Sequence, residues 1–476
     1  MRNLIIFFSS LIVILHTSCG DQLDALPTSA KVDDNLIVDQ KSAEIALNGA
    51  YYTYALSGTD YYDILSTRCA NDYELKPARF SGIITYYSGA LEMESHVILP
   101  TSYLTGDLWF GNYQALAASN GVITQMEKAP DIYFSGNRKQ EILGEARLLR
   151  AFSHYNLLRW YAQYYDINSE YGVLLRTEAV LTGNIAKDRS SVSDSYNYIL
   201  EDIEYAINNC VDANSNHYLN KWVAKGLKAR VLMMRGQAGD YDLVATITDD
   251  IITNSPYQLE ENLEDLFHQK GLDSKEVMFG IKPNAGQSDK FSKYYYYYAS
   301  QYYPTTPFLA LLENDPRKSW LFTDIGTNGT VKYLVTKYID KNKIASSTLE
   351  ETQYQMRLSE IYLLRAEALV RSGGSKSDAK ELLKKVMGHA GITDFTAVDN
   401  ADTDDAILAQ IFYEVLKNLF CESGRELEIM MRMPKNIVRP INPFCDAPNV
   451  MIMPIPTEEF RQNSLLKLQN PGYSKE

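Results

Sequence analysis

Pairs of helical patterns separated by a glycine-bracketed turn recur along this 476-residue chain, and they restrict it to stacked helical hairpins. The clearest pair is Lys221–Arg235 and Asp240–Thr253, divided by Gly236-Gln-Ala-Gly239, with Asp240 as the expected N-cap. So short a connection leaves only an antiparallel return, and Ala224 and Ala229 permit close approach of the second helix. The pattern repeats at Tyr354–Arg371 and Lys376–His389 around Gly373-Gly374. It is looser in Arg138–Tyr165 followed by Ser193–Cys210, where a long insert intervenes. Within Arg138–Tyr165 the residues Ile142, Ala146, Leu149, Phe152, Tyr155 and Leu158 fall three and four apart, which lines one helical face. Ala43–Tyr54, Asp107–Met126 and Asp404–Phe420 read as further helices, and Val277, Phe279 and Ile281 as a short strand.

The expected fold is therefore all-α, an α/α superhelix of tetratricopeptide-like hairpins with few short strands. Two irregular, tyrosine-rich segments, at about 60–100 and 257–348, would supply a loop-rich binding region. A proline-rich tail from Met433 to Glu476 is expected to lie extended on the surface of the helical body.

Residues 1–18 read as a signal peptide: Arg2, an apolar Leu4–Leu15, then small residues before Cys19. The apolar run is shorter than the roughly 20 residues that span a bilayer. Cys19 is the expected lipidation site, with 19–40 a tether and 41–476 a single domain; an ordinary cleaved signal with an incidental Cys is the other reading. The net charge of −14 argues against a nucleic-acid partner, since such proteins concentrate positive charge. Cys69, Cys210, Cys421 and Cys445 have no metal-ligand spacing, and either disulfides or buried thiols fit them.

No nucleophile elbow, phosphate loop, zinc-protease motif or dinucleotide fingerprint is present. His154 reads as a packed residue, and the acidic run Asp399–Asp405 as the start of a helix instead of a calcium loop. No catalytic, metal or cofactor residues are assigned. What stands out is tyrosine, 35 against 16 Phe and 4 Trp. Tyr joins a flat apolar face to a polar tip, which suits a wet binding surface more than a core. In the run Tyr294–Tyr298 some phenols must reach solvent in either a strand or a helix.

Four motifs together resemble the SusD/RagB family of outer-membrane lipoproteins. They are Cys19-Gly-Asp-Gln-Leu-Asp-Ala-Leu-Pro27; Gly144-Glu-Ala-Arg-Leu-Leu-Arg-Ala-Phe through Trp160-Tyr161; Ser359-Glu-Ile-Tyr-Leu-Leu-Arg-Ala-Glu-Ala368; and Met453-Pro-Ile-Pro456 with Gln469-Asn-Pro-Gly-Tyr473. Two segments depart from the family pattern: Asn418–Arg425, where the glycine is displaced, and Gly172-Val-Leu-Leu175. The resemblance implies a non-enzymatic protein, lipid-anchored on the outer membrane and facing the medium. It would bind an oligosaccharide, or a peptide in the RagB branch, and partner a SusC-like TonB-dependent transporter. The motifs carry over no ligand residue. The expected contacts come from the tyrosine-rich segments: Tyr73, Tyr86, Tyr87, Tyr295, Tyr297, Tyr302, Tyr303 and Trp320, with Arg79 donating to ligand hydroxyls. Trp109, at a helix start, is assigned to the core.

Overall fold

The computed structural model describes residues 36–56, 74–86, 92–181, 183–282, 302–326, 332–338 and 353–476. Ten helices carry the architecture: α1 (Gln40–Leu56), α2 (Tyr103–Lys128), α3 (Arg138–Tyr161), α4 (Val192–Asn209), α5 (Lys221–Arg235), α6 (Asp240–Asn254), α7 (Leu358–Arg371), α8 (Lys376–His389), α9 (Asp404–Leu419) and α10 (Arg425–Arg432). From α1 to α8 each packs on the next, with α9 against α7 and α8 and α10 against α9, so the hairpin pattern becomes a helical stack. Gly236 and Gly239 take φ of 58° and 84°, a left-handed backbone that a side chain would strain, and this closes the α5–α6 turn. Gly239, not Asp240, is the N-cap; the Asp240 carboxylate instead accepts from Gln237 N and pairs with Arg235.

Among the described residues three antiparallel two-stranded ribbons interrupt the stack. Strand β1 (Ile84–Tyr86) pairs with β3 (Tyr302–Pro304), β2 (Val277–Ile281) with β6 (Gln353–Arg357), and β4 (Phe322–Asp324) with β5 (Tyr333–Val335). The β2–β6 pair corrects the expected helix from Tyr354. Gln353–Arg357 is buried on both faces, and pairing with β2 satisfies its backbone there, so the helix begins only at Leu358.

One apolar core lies among α1 to α5, a second among α7 to α10 and the ribbons, and a small third joins α5, α6 and α7. The tail also departs from expectation. Met451, Ile452, Met453 and Ile455 are at most 1 % exposed and sit inside the first core. Met453 N donates to Trp160 O at 2.7 Å, Thr457 N to Pro100 O at 3.0 Å, and Asn470 Nδ2 to Tyr161 O at 3.0 Å. Both tail motifs are thus used to close the long helix α3 against the loop before α2.

Gly172 lies where two backbones nearly touch: its N–H donates to Ser190 O at 3.0 Å, and a Cβ would collide with the carbonyls of Ser190 and Ser191. Backbone cannot swing aside as a side-chain tip can. Gly172→Ala is therefore expected to cost about 1–3 kcal/mol, read as a lower midpoint in urea.

Candidate ligand-binding site

The β1–β3 ribbon brings the two irregular segments together. Its register sets Tyr86 opposite Tyr302, Thr85 opposite Tyr303 and Ile84 opposite Pro304. The pairing extends beyond the strands, with Thr305 N donating to Ile83 O at 2.9 Å and Thr305 Oγ1 to Gly82 O at 2.7 Å. Tyr86 and Tyr302 rings lie 5.4 Å apart at 43°. The Arg79 guanidinium sits 5.4 Å from the Tyr86 ring and 5.8 Å from the Tyr302 ring, within cation–π range.

Glu94 holds this arrangement. It accepts both Arg79 Nε (2.8 Å) and Arg79 Nη2 (2.9 Å), and also Tyr86 N at 2.9 Å. Burial depresses the Arg79 pKa, but the Glu94 bond and charge outweigh it, and the guanidinium stays above its ordinary value. Arg79 is only 4 % exposed, so it is a support beneath two rings and not the open hydroxyl donor that the sequence reading assigned. Tyr302, 5 % exposed, is likewise the floor of the cluster, and burial raises its phenol. Tyr86 and Tyr303 remain half-buried. Lys332 Nζ lies 4.8 Å from the Tyr303 ring, and β5 packs beside β3 and presents half-buried Tyr333, with Lys318 Nζ at 5.5 Å.

Trp320 is a correction. It is 9 % exposed, lies 5.8 Å from the Phe267 ring and meets His268 edge-on at 5.5 Å. The one-turn helix Lys318–Leu321 drops it into the second core. Trp109 is core as read, 1 % exposed with Nε1 donating to Glu459 at 3.0 Å. Tyr73, Tyr87, Tyr295, Tyr297 and Cys19 lie outside the described residues.

Sequence reasoning missed Tyr103. It is 66 % exposed, and its phenol is close enough to influence the ionisation of both Arg79 and Tyr302. The signal was Ser102, whose side chain accepts from Leu104 N and starts α2 four residues before the expected Asp107. At that first turn Tyr103 is the most exposed ring of the cluster.

The cluster offers ring faces, phenols and amines, the equipment of binding. Among the described residues Ser359, hydrogen-bonded to Glu276 and 3.4 Å from His389 Nε2, resembles a catalytic triad, but Ser359 and Glu276 are fully buried. Among the described residues no group of His, Cys, Asp and Glu could hold a metal ion, and no helix is long and apolar enough to cross a membrane. Cys210, Cys421 and Cys445 are free and buried.

Known proteins repeat this architecture. A family model described as "Starch-binding associating with outer membrane" matches residues 65–233. A SusD-like protein of Bacteroides ovatus is 25% identical over 282 residues, 56% of this chain and 48% of that protein; the chain matches about half the length of its curated relatives. A SusD superfamily structure from Bacteroides thetaiotaomicron superposes with a TM-score of 0.72 at 21% identity, covering 91% of this chain and 100% of that one. A laminarin-binding SusD-like protein does so with a TM-score of 0.71 at 19% identity, over 91% and 100%. The model of the SusD family matches residues 177–444, more than half of the chain, and on that ground the chain belongs to the SusD family.

Proposed function

We propose that this protein is a non-enzymatic, glycan-binding lipoprotein, anchored through Cys19 on the outer membrane and facing the medium. It captures oligosaccharides and delivers them to a SusC-like TonB-dependent transporter. The observation that carries the reading is the β1–β3 ribbon, which joins tyrosines more than 200 residues apart into one partly exposed cluster with Tyr103. A sugar ring offers a C–H face that a phenol ring covers, while its hydroxyls meet phenols and ammonium groups at the edge. Covering ~40 Å² of C–H surface at ~25 cal/mol/Å² gives about 1 kcal/mol per stack. A few such stacks, less the cost of association, place binding in the roughly millimolar to micromolar range.

Isothermal titration against oligosaccharides and against peptides tests this. Glycan heats with silent peptides support it; peptide heats alone reassign the protein to peptide uptake. Tyr103→Ala should weaken glycan binding about five-fold, the equivalent of one stack, with an unchanged melting temperature. Copurification of a TonB-dependent transporter with the tagged chain, lost when Cys19 is replaced, tests partner and anchor together.

A further inference from the structure

Helix α2 carries an exposed stripe that leads away from the tyrosine cluster. Tyr103, Gly106, Phe110, Tyr113 and Ala117 fall at intervals of three and four, so they share one face. Tyr103 is 66 % and Phe110 41 % exposed, Tyr113 is half-buried and Ala117 exposed. The Phe110 ring leans back over Gly106, where a Cβ would meet it at 3.4 Å, an ordinary van der Waals contact. From Tyr103 to Tyr113 the rise is about 15 Å.

The stripe ends at a cavity of about 180 Å³ lined by Tyr113, Ala117, Leu174, Arg176, Val180 and Glu459. Its polar groups are already oriented. The Tyr113 ring packs 4.8 Å from Trp109, and its hydroxyl donates to Leu174 O at 3.2 Å. Glu459 accepts from Trp109 Nε1 at 3.0 Å and Asn463 Nδ2 at 2.9 Å, and a carboxylate has room for further donors. Arg176 Nη1 donates to Asn184 O at 2.8 Å, Nη2 to Ile185 O, and no carboxylate of the described residues pairs with it. A fixed acceptor, a fixed donor fork and a ring face meet in a space well below the ~300–1,000 Å³ of drug-sized pockets.

We propose that this cavity is a second carbohydrate subsite. It takes one ring of the same oligosaccharide whose other rings lie on Tyr103 and the ribbon, with Phe110 as the step between. The inference rests on the glycan-binding reading and adds to it a minimum ligand length and a second point of capture.

The test is an array of neutral and acidic oligosaccharides graded from two to eight rings, followed by titration of the bound series. Wild type should gain affinity up to the longest members. Ala117→Trp plugs the cavity from the helix, and Val180→Trp plugs it from the loop, so a misfolded variant on one side leaves the other. Either should lower affinity for the longest chains about ten-fold and leave the shortest bound chains as in wild type. Long chains held equally by wild type and both folded variants would overturn the subsite while leaving the glycan reading intact. An array on which wild type retains nothing would overturn both.

Discussion

Replacing Arg357 by Met should cost about 3–5 kcal/mol of stability, because it strips the guanidinium from two buried carboxylates at once, leaving Glu422 with Lys337 and Glu276 with Ser359. Arg357 is 1 % exposed. Its Nη1 donates to Glu276 at 2.6 Å, Nε and Nη2 to Glu422 at 2.6 and 2.8 Å, and Nη2 to Asn418 Oδ1 at 2.9 Å. The guanidinium also lies 5.3 Å from the Phe267 ring, which itself backs Trp320. One side chain therefore fastens β6, the lead into β2 and the end of α9. Equilibrium urea unfolding would show the loss. Arg357→Met with Glu276→Gln should recover part of it, since one stranded charge is gone. Arg439→Met is the contrast: its pair with Asp446 is about half exposed on both sides, and its removal should leave the urea midpoint nearly unchanged. A similar small effect at Arg357 would mean that water reaches the network.

The location of that network also explains what could be read from the sequence. Periodicity found every long helix from α1 to α9; most of them pack against the helix next in the chain, while α3 is buried nearly all round. It failed at Gln353–Arg357, where Tyr354, Gln355 and Met356 fit either period and a partner some 75 residues earlier makes the choice. It also left out α10. Cys421, Ser423 and Gly424 all have positive φ, and that sharp turn resets the chain direction before Arg425. The displaced glycine of this segment marks the place, yet non-glycine residues held left-handed are a tertiary effect with no local signature.

Tyrosine was legible in part. The excess pointed to two segments, and the ribbon joins them. Many phenols nevertheless serve the core: Tyr54, Tyr155, Tyr161 and Tyr196 are 1 % exposed. Tyr161 donates to Thr105 O and Tyr196 to Tyr164 O, bridging α3 and α4 to their neighbours through backbone carbonyls. A phenol that finds a carbonyl is as buriable as a phenylalanine, so composition alone cannot separate platform from core. Trp320 and Tyr302 fell to the same ambiguity, and Tyr103, set outside by its place in the first turn of α2, was passed over.

The α10 turn leads to the second large effect, on pH. Glu426 is fully buried; burial pushes its carboxyl up to about 8, only partly opposed by its backbone bonds, including Cys421 N at 3.3 Å, and by the charges of Lys337 and Arg425. Its Oε2 has no hydrogen-bond partner. A carboxyl raised in the fold binds a proton that the unfolded chain has released above about pH 4.3. Its contribution is therefore fully present below that value and is lost as pH rises toward 8, by roughly 1 kcal/mol per unit. Glu145 and Asp202, also raised by burial, share this sign and are common to wild type and variant, whereas other buried groups have the opposite slope. Glu276, Glu360, Glu367 and Asp315 are held below the usual carboxylate range by their Arg, Lys and His neighbours, so their stabilisation vanishes as pH falls through about 4. His96, His154 and His389, lowered by burial, lose theirs as pH falls below about 6.5. Between about pH 6.5 and 8 the Glu426 slope is clear of both sets. Glu426→Gln keeps the shape and an acceptor for Cys421 N but carries no titratable proton. It should be more stable than wild type by several kcal/mol at pH 8, with the gap closing steadily toward pH 5. Urea midpoints at half-unit steps measure the difference. Parallel curves for the two proteins would show that Glu426 is ionised and compensated in the fold, and that the raised carboxyl does not exist.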